Sequence, residues 1–205
     1  MRPARLALLL GLAACAELAE RPPPLPAGLV GTGDPLRAAA VGLHQGLQDG
    51  GRSLAGRPEE LALALARLEY LAEAAALGEG GAAMPSALRA ALAEARAEAR
   101  SALGIAEALP PQQVMRALLA TRRALQAGDR PGAEAALAAI ARPGIDPPLR
   151  RLSDPGGLPL AALAAQRLMD ELRMADAVRT WRGDSLADAP RQGISTQGLG
   201  GNTDR

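Results

Sequence analysis

Three side chains in this sequence stand out as places where chemistry could be sought: Ser185, in a motif, and His44 and Cys15, each the only one of its type. Ser185 lies in the stretch Gly183-Asp184-Ser185-Leu186. A serine hydroxyl is a nucleophile only with a base in hydrogen-bond reach, itself oriented by a third group. The sole histidine, His44, is 141 residues upstream. It flanks Leu43 and Leu47 on a helical pattern, the place of a histidine at a core boundary. One cysteine cannot form an intrachain disulfide. One cysteine and one histidine cannot make a zinc site either. No dense Asp/Asn loop offers calcium its oxygen ligands. All 23 basic residues besides His44 are arginines. A Schiff-base lysine, a Walker-type phosphate lysine and a lysine general base are therefore excluded. No catalytic, metal-binding or cofactor-binding residues are expected, and no cofactor.

The tetrapeptide at Ser185 resembles the motif of the GDSL serine esterases. That resemblance implies a motif near the mature N-terminus, after a first strand, with a later Asp-x-x-His supplying the base. Here the motif follows a predicted helix, only 20 residues remain after Ser185, and there is no Asp-x-x-His. Gly201-Asn202 matches only the oxyanion block. An esterase acting through Ser185 is thus a remote alternative. Arg182-Gly183-Asp184 also spells an integrin-binding tripeptide, which three letters carry weakly.

The first fifteen residues are more specific. Arg2 and Arg5 form a positive start, and Leu6 to Ala14 is an apolar run of nine residues. That is too short for a helix across a bilayer, which needs about 20 residues, and it suits the core of an export signal. The run ends in Leu12-Ala13-Ala14-Cys15, which resembles the lipobox of bacterial lipoproteins. The resemblance covers only the signal. It implies cleavage before Cys15, a diacylglyceryl group on its thiol and an acyl chain on its amine. Two or more acyl chains anchor stably where one binds only marginally. Ala16, rather than Asp, after the cysteine implies release to the periplasmic face of the outer membrane. Pro22-Pro23-Pro24-Leu25-Pro26 follows. Such a cluster favours extended polyproline II and acts as a semi-rigid spacer.

The elements that would have to position any site are helical. The chain has 205 residues, with 48 Ala and 35 Leu against four Val, four Ile and five Thr. Ala and Leu are strong helix formers, and the β-branched residues that suit strands are scarce. Phe is absent, and Trp181 and Tyr70 are the only aromatics. The expected core is thin and rich in alanine. Net charge is +1 with both signs interspersed, and loss of Arg2 and Arg5 brings the mature chain to −1. There is no basic stripe for nucleic acid and no aromatic platform for single strands.

The pattern predicts an all-α antiparallel bundle or array of about six helices. Asp34-Pro35 starts the first, with Leu36, Ala40, Leu43 and Leu47 on one face and Gly50-Gly51 as the stop. Gly42-x-x-x-Gly46 on it could admit a close neighbour. The second runs from Pro58 to Leu77. Its stripe is Leu61, Leu65, Leu68 and Ala72, with Leu63, Tyr70 and Leu77 alongside. Glu59 and Glu60 suit its positive end. The third, Pro85 to Leu103, turns Leu88, Leu92, Ala95, Ala99 and Leu103 inward and Glu94, Arg96, Glu98 and Arg100 to solvent. The fourth opens at Pro110-Pro111 with Val114, Leu118 and Leu125. Gly128-Asp129 leads into a fifth, Arg130 to Ala141, with Leu137 and Ile140 inward. Residues 142–157 read as a loop with one turn. The sixth runs from about Leu158 to Arg182, with Leu168, Leu172 and Ala175 on one face and Met174, Val178 and Trp181 on the next. Leu118 to Ile140 resembles the middle of a tetratricopeptide repeat, without a second copy at a fixed period.

These readings divide the chain into a signal peptide (1–14), a lipidated cysteine with a proline-rich tether (15–33), a helical domain (34–182) and a disordered tail (183–205). The functional expectation is a lipid-anchored envelope protein. Its helical domain is non-catalytic and meets the membrane through the anchor, with an envelope protein as a candidate partner and no nucleic acid. A periplasmic carrier of a small molecule or lipid, in an apolar pocket between alanine-faced helices, is the alternative.

Overall fold

A computed structural model describes residues 28–29, 34–78, 84–144 and 148–178. Among them are seven α-helices and no strands. They are α1 (Pro35–Leu47), α2 (Pro58–Leu77), α3 (Ser86–Leu103), α4 (Pro111–Gln126), α5 (Arg130–Ala138), α6 (Pro148–Ser153) and α7 (Pro159–Ala177), with a 3₁₀ turn at Arg52–Leu54. The all-α array is as the composition predicts. Cys15, Trp181, Ser185, the signal and the tail lie outside the described residues.

Proline and glycine set the element boundaries. Proline occupies the first turn of α1, α2, α4, α5 and α7, where its missing N–H costs nothing. Asp34 accepts from the Leu36 N–H at 3.0 Å and Asp129 from the Gly132 N–H at 2.9 Å, so both act as caps. Gly78 and Gly104 end α2 and α3 at φ +73° and +70°, the left-handed conformation that favours glycine.

Helix α2 is the hub. Twelve of its 20 residues are buried, and it packs against α1, α3, α4 and α6. A helix apolar nearly all round must be enclosed, and α2 reads that way from Leu61 to Ala75. Gly46 on α1 lets α2 come close, since a Cβ there would sit 3.4 Å from that of Ala64. Helix α7 closes the array against α1 and α3. The predicted inward stripes of α1 and α3 are buried throughout. Leu77, Met174 and Val178 are instead exposed, at 59%, 65% and 66%.

Three expectations are corrected. The 142–157 loop contains helix α6 and is tied down at both ends. The Arg142 N–H donates to the Gly104 carbonyl at 2.8 Å, and the Leu158 N–H to the Gly50 carbonyl at 3.0 Å. Leu149 and Leu152 of α6 are buried. A two-turn helix is too short to show a period, and its proline-rich flanks masked it. Packing also begins before Asp34. Leu29, in the segment assigned to the tether, is fully buried in the core. Finally, the alternating charges of α3 do not share a solvent face. Steps of two residues turn about 200° on a helix, so the acids and the bases fall on opposite sides. Glu94 is exposed, Arg96 and Glu98 are half-buried and Arg100 is buried.

Glu98 has a structural task. Its carboxylate accepts from the Leu160 and Ala161 N–H groups at 3.1 and 2.9 Å. Helix α7 has no capping side chain of its own, so α3 supplies one. Glu98→Ala is expected to cost about 1 kcal/mol, read by thermal unfolding; a change near zero would mean that water replaces the cap.

The far end of α7 is held electrostatically. Arg37 of α1 donates from Nη1 to Asp176 Oδ2 at 2.9 Å and from Nη2 to Oδ1. That hydrogen bond, with the charge of Arg37, lowers the Asp176 pKa from its usual value. A lowered carboxylate pKa adds stability that is complete above the ordinary value near 4 and lost as pH falls through the folded one. Asp176→Asn should therefore narrow the gap to wild type below about pH 4, measured as unfolding midpoint against pH.

Candidate functional site

Two polar clusters stand out, and they differ in kind. The first is buried and internally satisfied. Arg100 of α3 donates from Nε and Nη2 to the two oxygens of Glu69 on α2, at 2.6 and 2.7 Å. Its Nη1 donates to the carbonyls of Glu107 and Leu109, at 2.7 and 2.9 Å. Both side chains are 5% exposed. The fork geometry of arginine matches a carboxylate face to face. The pair joins α2 to α3 and fixes the link that leads into α4. It has no open side for a ligand and is a structural clamp.

The second is an open groove of about 690 Å³ between α1, the 3₁₀ turn, α2 and α4. Arg67 of α2 and Arg122 of α4 both line it, with Gln45, Ser53 and Gln126. Arg67 is half-buried. Its Nε donates to the carbonyl of Leu29 at 3.3 Å. Its guanidinium lies over Gly42, where a Cβ would overlap Nη1 and Cζ. Gly42 thus makes room for a charged group, while Gly46 one turn on makes room for the neighbouring helix. Burial first, and the charge of Arg122 second, lower the Arg67 pKa. Arginine remains protonated regardless, so the shift marks an uncomfortable charge. Arg57 at the mouth is paired with Glu60 at 3.2 Å. Arg67 and Arg122 have no ion-pair partner among the described residues.

Of Ser185, His44 and Cys15, only His44 is among the described residues. His44 sits half-buried on α1 between the buried Leu43 and the exposed Gln45. Ser185 and Cys15 lie outside the described residues. Among the described residues no group of His, Cys, Asp and Glu could hold a metal ion, and no helix is long and apolar enough to cross a membrane. Sequence reasoning missed the groove because Arg67 and Arg122 are 55 residues apart and nothing local pairs them. The only local signal was Gly42, in the interior of α1. Helices α4 and α5 form a hairpin about the Gly128-Asp129 turn. No protein-family model, curated protein or solved structure matches the chain, so its function must be argued from its own residues.

Proposed function

We propose that the chain is a lipid-anchored bacterial envelope protein. Its helical domain serves as a non-catalytic interaction module on the periplasmic face of the outer membrane. One observation carries the reading: the only cysteine closes a lipobox, Leu12-Ala13-Ala14-Cys15, behind a short apolar run with Arg2 and Arg5 before it. An unpaired thiol at that place is accounted for by acylation, and the acyl chains supply stable membrane affinity. The carrier alternative draws its support from the open groove at Arg67 and Arg122, although a polar lining suits a charged ligand better than a lipid tail.

The test is Cys15→Ser in intact cells, with radiolabelled palmitate incorporation and fractionation read together. Wild type should take up label and sediment with outer membranes; the variant should lose the label and leave the membrane fraction. A wild-type protein that keeps Met1 and takes up no label would end the anchor reading.

A further inference from the structure

We propose that the groove between α1, α2 and α4 binds a phosphate group between the guanidiniums of Arg67 and Arg122. The inference rests on reading the domain as a binding module, and is independent of the anchor. Three structural facts carry it. Arg67 and Arg122 converge on one groove from different helices, and neither has a carboxylate partner among the described residues. Like charges that share a half-buried groove repel, and a protein that keeps them there gains from an anion between them. The cradle is also built. Gly42 leaves room for the Arg67 guanidinium, and the Leu29 carbonyl orients it through Nε. With Nε so engaged, both Nη nitrogens remain for a ligand.

Arg57, Glu59 and Glu60 line the groove as well. Glu60 is engaged by Arg57, and Glu59 stands eight residues before Arg67 on α2, about 12 Å along the axis. Acceptor geometry selects phosphate: a phosphate monoester offers three acceptor oxygens, enough for two guanidiniums at once, whereas one guanidinium already fills the two oxygens of a carboxylate. Planar guanidiniums bind such oxygens in pairs. Gln45, Ser53 and Gln126 add neutral hydrogen-bonding groups to the walls. The phosphate could belong to a soluble ester or to a lipid headgroup, and the chemistry of the groove is the same for both.

The probes are inorganic phosphate and vesicles of phosphatidylcholine with or without phosphatidic acid, applied to the full-length chain carrying Cys15→Ser. Phosphate should raise the unfolding midpoint above that in chloride of equal ionic strength, because a ligand of the native state stabilises it. Arg122→Gln should abolish that increment and weaken phosphate binding by about tenfold in calorimetric titration. In chloride the same variant should be as stable as its parent or more so, since it removes a repulsion. Gly42→Ala, which keeps both charges but displaces Arg67, should weaken binding as well. Binding to phosphatidic acid vesicles that Arg122→Gln removes assigns the phosphate to a headgroup, whereas binding of free phosphate alone assigns it to a soluble ester. The proposal is overturned if phosphate does no more than chloride and vesicle binding ignores Arg122. Acyl labelling at Cys15 is read separately, so failure of the groove and failure of the anchor are distinct results.

Discussion

Glu69→Ala lowers the unfolding free energy by about 3–5 kcal/mol, a large share of the 5–15 kcal/mol typical of a domain. Arg100 is 5% exposed and would keep its charge with only two neutral carbonyls for partners. A buried cation stripped of its counter-charge is among the costliest single changes. Urea denaturation should show a lower midpoint at an unchanged slope, the mark of lost stability rather than an altered unfolded state. The companion variant is Glu69→Leu with Arg100→Met. Removing both charges and filling the space should recover most of the loss. That rescue separates a charge effect from a packing effect. A loss under about 1 kcal/mol in the single variant would place the pair at the surface, where ion pairs contribute that little.

Leu71→Ala costs about 4 kcal/mol, near the upper part of the range for buried leucines. The size follows from the composition of the core. Leu71 is fully buried on the central helix, and many core residues around that helix are already alanines. Helices that meet through alanine are near their closest distance. They cannot move in to fill a new void, and the cost of truncation rises with the volume left empty. Leu77→Ala on the same helix is the control. That side chain is 59% exposed, so its loss should stay within about 0.5 kcal/mol. Parallel urea titrations of the two variants read the contrast directly. Equal effects would show that α2 is not the hub.

The helix boundaries were legible because they are written locally. Pro35, Pro58, Pro111 and Pro159 open helices and Gly78 and Gly104 close them, and each acts through its own backbone preference. The inward stripes of α1 and α3 were legible for the same reason, since a period of 3.6 needs no partner. The pairings between elements were not. Glu69 falls four residues after Leu65 and eight after Leu61, so its place on the apolar stripe was visible. Nothing local names Arg100 as its partner. Glu98 capping α7 is likewise a contact across 62 residues. Leu29 was hidden by its neighbours, because a lone leucine beside a proline cluster has no period of its own. For the groove, sequence offered Gly42 and no more.

The seating of Leu29 also limits how far the domain can roam. Leu29 lies fourteen residues beyond Cys15, and a fully stretched chain covers at most about 50 Å over those fourteen steps. If Cys15 carries the acyl chains, Leu29 is the far end of the leash, and its carbonyl is the one that holds Arg67. The leash would then leave the domain next to Arg67. A phosphate on the bilayer surface would meet Arg67 and Arg122 at a high effective concentration, and shortening residues 16–27 should sharpen that encounter until the chain can no longer reach.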